Sequence, residues 1–145
     1  MNVARTALWR QSPDRTEAIS HRGNVVCMIV RAEPALEETA FYTPAHCNLQ
    51  VGKIVYPAGS EIPPHAHRPV IRHLVGTAEV LVVQKGRMIV DLYADDRAIL
   101  CSREVAAGDV VVLLSGGHGF RLLEDTVLLE VKQGPYVGLH EKELF

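Results

Sequence analysis

Short runs of β-branched and apolar residues, each closed by glycine, proline or a polar turn, recur along this chain and leave almost no helical periodicity. Asn24–Arg31 (NVVCMIVR) is continuous and apolar, the pattern of a strand covered on both faces. Asn48–Tyr56 reads as a further strand, after which Pro57, Gly59, Pro63 and Pro64 break any ladder and bend the backbone. Ala78–Gln84 and Arg87–Tyr93 are separated by Lys85 and Gly86 and read as a hairpin, with Glu79, Leu81 and Val83 on one face and Val80 and Val82 on the other. The polar turn at Ala94–Arg97 is followed by a strand at Ala98–Glu104. Gly108 and Asp109 turn the chain into Val110–Leu114, Gly116–Gly119 form a flexible corner, and Val127–Gln133 is the last strand.

The remaining segments are less regular. Residues 1–23 mix charge with turn formers and suggest irregular structure with one short strand at Ala7–Arg10. Glu33–Pro44 has prolines near both ends and an acidic centre, which suits a surface connection anchored by Phe41 and Tyr42. A single helical turn is expected at Leu139–Leu144. About eight or nine short strands with turns at these intervals predict an all-β sandwich or barrel. Strands that are apolar on both faces predict a second layer or a second subunit over them, and a homodimer is expected.

Composition narrows the function classes. A chain of 145 residues, 48% hydrophobic and 22% charged, suits one domain with a sizeable core. The net charge is −2 and the 15 Lys and Arg residues are dispersed, which argues against a nucleic-acid partner. The N-terminal residues lack a secretory apolar core and Val25–Val30 is too short to span a bilayer, so no membrane partner and a cytoplasmic location are expected. Cys27, Cys47 and Cys101 are odd in number and widely spaced, which fits reduced thiols packed as small apolar groups.

The chemistry-bearing residues fall in two stretches. His65 and His67 stand two apart, so in an extended chain both imidazoles lie on the same side. Glu79 shares a register with Leu81 and Val83, and a carboxylate buried there needs a cation or hydrogen bonds. His118 follows an apolar strand at a glycine-rich corner and completes a possible set of four metal ligands. The bland alternatives are histidines on the surface and a Glu79 carboxylate paired with Arg72 or Arg87.

Gly59, His65, His67, Glu79 and Gly86 resemble the first motif of the cupin superfamily: glycine, five residues, His-x-His, three or four residues, glutamate, six residues, glycine. Eleven residues separate His67 from Glu79 here, and this longer stretch, RPVIRHLVGTA, carries His73. Gly108, Gly116 and His118 resemble the second motif more loosely, with Leu114 in place of its proline, one residue fewer before the histidine, and Leu122 in place of its asparagine. The likeness covers residues 48–133 and is to small single-domain bacterial cupins, with 1–47 as N-terminal strands and 134–145 as a C-terminal tail.

The resemblance implies a jelly-roll barrel that holds one divalent transition metal (Fe, Mn, Ni, Co or Zn) through His65, His67, Glu79 and His118. It points to a metalloenzyme, an isomerase or dioxygenase, acting on a small polar oxygenated metabolite such as a sugar derivative or an oxo or hydroxy acid. Glu130 or His73 would then move a proton. Gln50, Lys132 and Tyr136 are candidate pocket residues. Two alternatives remain: His73 as a solvent-exposed residue of the longer stretch, and Glu130 and Lys132 as a solvated charged pair. The other functional class is a non-catalytic module that binds a small molecule in the same barrel.

Overall fold

The computed structural model of the chain describes residues 16–32 and 38–145. The strand expected at Ala7–Arg10 and part of the Glu33–Pro44 connection lie outside the described residues. Ten strands follow in order: β1 (Thr16–His21), β2 (Asn24–Val30), β3 (Ala40–Phe41), β4 (Gly52–Lys53), β5 (Glu79–Lys85), β6 (Arg87–Tyr93), β7 (Ile99–Ala106), β8 (Val110–Leu113), β9 (Gly117–Leu122) and β10 (Val127–Lys132). A 3-10 turn at Gly138–Glu141 precedes the C-terminal residues. Among the described residues there is no α-helix, and no helix is long and apolar enough to cross a membrane.

Two antiparallel sheets form a β-sandwich. The larger has the order β1-β2-β8-β5-β10 and the smaller β7-β6-β9. Between them lies a core built from alternating inward positions: Cys27 and Ile29 of β2, Leu81 and Val83 of β5, Val111 and Leu113 of β8, and Met88, Val90 and Leu92 of β6. The opposite face of the larger sheet is covered as well. Met28, Val30, Val80 and Val112 pack there with Ala40 and Tyr42, and the short β3-β4 pair lies over them. Hence Val26 to Val30 are buried without alternation, as the continuous apolar run in β2 implies.

Four sequence expectations change. Residues 85 and 86 do not close a hairpin, because β5 lies between β8 and β10 and β6 lies between β7 and β9. Gly86 instead carries the chain from one sheet to the other at φ +87°, and a Cβ there would fall 2.4 Å from the carbonyl oxygen of Asp125. The strand expected over Asn48–Tyr56 is reduced to Gly52–Lys53. Two stretches read as irregular are strands: β1, with one buried side chain among six, and β9, in the glycine-rich corner.

The β7-β8 turn is fastened by Asp109. Its carboxylate accepts hydrogen bonds from the backbone N–H of Ala32 at 2.9 Å and of Ala106 at 3.1 Å, and pairs with Arg31 at 2.9 Å. The smaller sheet has its own tie, in which Asp91 accepts from Arg121 and from the Ser102 hydroxyl. Those donors hold its carboxyl at about 2, below the usual range, with the Arg121 hydrogen bonds the largest cause.

Candidate functional site at the Glu79–His118 pair

Glu79 opens β5 and points into the sandwich, in register with Leu81 and Val83. Its residue is 7% exposed, so its carboxylate needs a partner. His118 supplies one. In β9 it stands opposite Leu92 of β6, and its Nε2 lies 3.2 Å from Glu79 Oε2, bridging the two sheets. Arg87 pairs with Glu104 and Glu124, so it is not the carboxylate's partner.

Burial lowers the pKa of His118 from its ordinary value, outweighing the upward pull of Glu79 and, more weakly, Glu130; Lys142 adds to the lowering. This lowering favours the neutral imidazole, the form that binds a cation or accepts a proton. Beside the pair is an open cleft of about 410 Å³ whose walls include Thr77, Phe120, Lys142 and Phe145. Phe145 sits edge-on to Tyr93 at 5.2 Å with the Arg97 guanidinium 5.2 Å from its ring centre, and Arg97 also pairs with Glu143. These contacts hold the C-terminal residues along one wall.

The last strand adds charge to the same side. Lys132 stands opposite Glu79 and Glu130 opposite Leu81, and both share the face of Leu128, which packs on the inter-sheet core. Lys132 Nζ lies 3.7 Å from Glu130 Oε2 and 5.3 Å from the ring centre of Tyr136. Four residues singled out in the sequence, Glu79, His118, Glu130 and Lys132, thus converge from three strands, with Tyr136 beside them.

The other candidates lie elsewhere. His65 and His67 are exposed in a stretch without regular structure, with ring centres 5.4 Å apart and His65 Nδ1 3.0 Å from the carbonyl oxygen of Pro63. Their imidazoles are neighbours, as the two-residue spacing implies. His73 is exposed in the same stretch, and its backbone carbonyl accepts from Asn48 Nδ2 at 3.0 Å. Gln50 donates to the carbonyls of Pro44 and Cys47, fastening the turn before β4.

Among the described residues, no three His, Cys, Asp or Glu side chains are grouped so that they could hold a metal ion. Of the four residues that the resemblance implies as ligands, Glu79 and His118 meet, and the His65–His67 pair is exposed in a separate stretch. The sequence reasoning did not anticipate Lys142 and Phe145 in the cleft wall; nothing in their spacing signals it, because the wall is formed by the C-terminal residues folding back. Comparison of the chain with protein-family models, with curated proteins and with solved structures found no match in any of the three.

Proposed function

We propose that the chain is a cupin-type jelly-roll protein whose site, centred on Glu79 and His118, takes a small polar oxygenated metabolite, a sugar derivative or an oxo or hydroxy acid. The observation that carries this reading is the buried Glu79 carboxylate 3.2 Å from the His118 imidazole, beside an open cleft whose wall carries Lys142 with Glu141 and Glu143, and with Lys132 opposite Glu79 on β10. A histidine beside a buried carboxylate, with its ring edge open to a cleft, is an arrangement used to take a proton from a bound substrate or return one to it. Lys132 offers an ammonium group to an anionic oxygen, and Glu130, 3.7 Å from it, is a second proton carrier. An isomerase-type proton transfer fits these groups.

With His65 and His67 brought to the pair, the donor set would be three nitrogens and one carboxylate oxygen, suited to one Fe, Mn, Ni, Co or Zn ion. The alternative is a binding module in which the same groups recognise the metabolite without turnover.

Two measurements test the reading. Thermal shift against a panel of sugars and oxo or hydroxy acids should find a stabilising ligand, and its effect should be lost in Lys132→Ala and His118→Ala. No stabilising ligand in the panel would sink the small-molecule reading, and stabilisation without turnover would favour the binding module. Elemental analysis of untagged protein, as purified and after anaerobic reconstitution, tests the metal. Less than a tenth of an equivalent in both preparations would refute it.

A further inference from the structure

The sandwich has two open edges on the same side. Among the described residues no strand pairs with the free side of β10 in the larger sheet or of β9 in the smaller one. Along β9, Phe120 and Leu122 share the register of His118, which points inward, yet they are 36% and 62% exposed. Along β10, Val127, Leu129 and Val131 are each about half exposed. A sheet edge with free N–H and C=O groups and apolar side chains is a template for another strand.

Residues 54–78, between β4 and β5, have the opposite character: apolar side chains with no strand partner. Ile54, Tyr56, Ile62, Val70, Ile71, Leu74 and Val75 are all more than half exposed, Ile71 at 90% and Val75 at 99%. This arm is rooted at both ends. The Thr39 hydroxyl is bonded to the backbone of Val55, and Asn48 holds the carbonyl of His73. Between these roots no hydrogen bond or ion pair joins the arm to its own β9 or β10, and beyond them the Ala78 N–H bonds to Gln133 Oε1 at 2.7 Å, just past the end of β10. Its stretch Val70–Val75 (VIRHLV) is free of proline and suited to extended pairing.

We propose that the arm of one copy augments the open β9 and β10 edges of a second copy, so that the chain is completed as a reciprocal, arm-exchanged homodimer. The amount of apolar surface favours this occupant. The arm and the two edges together leave on the order of 1,500 Å² of apolar side-chain surface uncovered, well beyond the few hundred Å² of a typical monomer's largest patch. Reciprocal exchange between two copies would cover about twice that, in the range of obligate homodimers. Exchange needs only the arm and the edges. Delivery of His65 and His67 to the Glu79–His118 pair of the second copy is an added consequence that rests on the metal reading above.

The test uses chelator-treated full-length chain, so a failed metal assay leaves it intact. By size-exclusion chromatography with light scattering at about 100 µM, the wild type should be a dimer. The arm variant Ile71→Glu/Val75→Glu and the edge variant Leu129→Glu/Val131→Glu should each be monomeric with an unchanged far-UV strand spectrum. Mixed one to one, they should form a heterodimer, because the intact arm of the second meets the intact edges of the first. A monomeric wild type, as when the arm closes on its own edges, would overturn the proposal. So would dimers of either variant alone, or a mixture that stays monomeric. Should either variant lose its strand spectrum, hydrogen exchange on the wild type decides: β9 and β10 amides must gain protection between about 1 and 100 µM, and equal protection overturns the proposal.

Discussion

Replacing Asp109 by alanine should be among the most costly polar substitutions in the fold, and the geometry says which of its contacts dominates. The residue is 8% exposed and its carboxylate accepts two backbone N–H groups, from Ala32 and Ala106, besides pairing with Arg31. Each N–H bond to a buried charged acceptor contributes about 1.5–3 kcal/mol, and truncation strands both donors. The Arg31 side chain is 37% exposed, so solvent screening limits that ion pair to roughly 0–1 kcal/mol. Because both donors are only partly buried, Asp109→Ala should cost about 2–4 kcal/mol and Arg31→Ala under about 1 kcal/mol. With a urea m-value of about 2 kcal/mol/M, the midpoint should fall by about 1–2 M for the first and under about 0.5 M for the second. Asp109→Asn should fall between them, since its amide oxygen keeps one N–H bond while its NH2 group faces a donor. The measurement is urea unfolding followed by circular dichroism at constant m. An Asp109→Ala midpoint within about 0.2 M of wild type, or an Arg31→Ala loss as large, would refute the reasoning.

Further outcomes can be checked independently. The Asp91 carboxyl, held down to about 2, contributes stability that is fully present above the unfolded carboxyl pKa near 4 and lost as pH falls through 2; the unfolding free energies of wild type and Asp91→Asn, from urea titrations, should differ by about 1–2 kcal/mol at pH 7 and converge toward pH 2. Leu92→Ala, which empties a fully buried inter-sheet position, should cost about 2–5 kcal/mol in the same assay, and a loss below about 1 kcal/mol would contradict the core assignment. Gly86→Ala should lower the melting temperature by several degrees through positive φ and the clash with Asp125, and an unchanged melting temperature would exclude that corner geometry. Burial pushes the Cys27 thiol up to about 12, so iodoacetamide at pH 8 should alkylate the half-buried Cys47 well before Cys27, as peptide mass spectrometry would reveal; equal rates would place Cys27 outside the core.

What was legible in the sequence follows from how strongly each segment is buried. The runs in β2, β5, β6 and β8 announce themselves because their side chains fill the two apolar layers, and the alternation of Glu79, Leu81 and Val83 places the carboxylate inward as found. The edge strands divide: β7 and β10 show in their apolar residues, while β1 and β9 do not. In β1 only Ala18, Ile19 and flanking polar residues mark the strand, and in β9 glycine and histidine mask it, since an edge needs a partner on one side only. The Lys85-Gly86 pair misleads because a positive-φ glycine serves a corner between sheets as well as a hairpin. For the site, strand register brought Glu79, His118, Glu130 and Lys132 to one place, and register is written in local alternation. Where His65 and His67 end up depends on the course of a 25-residue arm rich in proline, which two-residue spacing does not encode.

The double covering of the larger sheet bears on which substitutions the chain can accept. In a strand with one wet face, every second position tolerates almost any residue, and a mutational scan shows a comb of free and forbidden sites. Along Val26–Val30, with the inter-sheet core on one side and the Ala40–Tyr42 layer on the other, the comb should vanish into an unbroken block of intolerance. Substitutions there would have to be compensated in two different layers, so β2 should be among the slowest stretches of this chain to diverge.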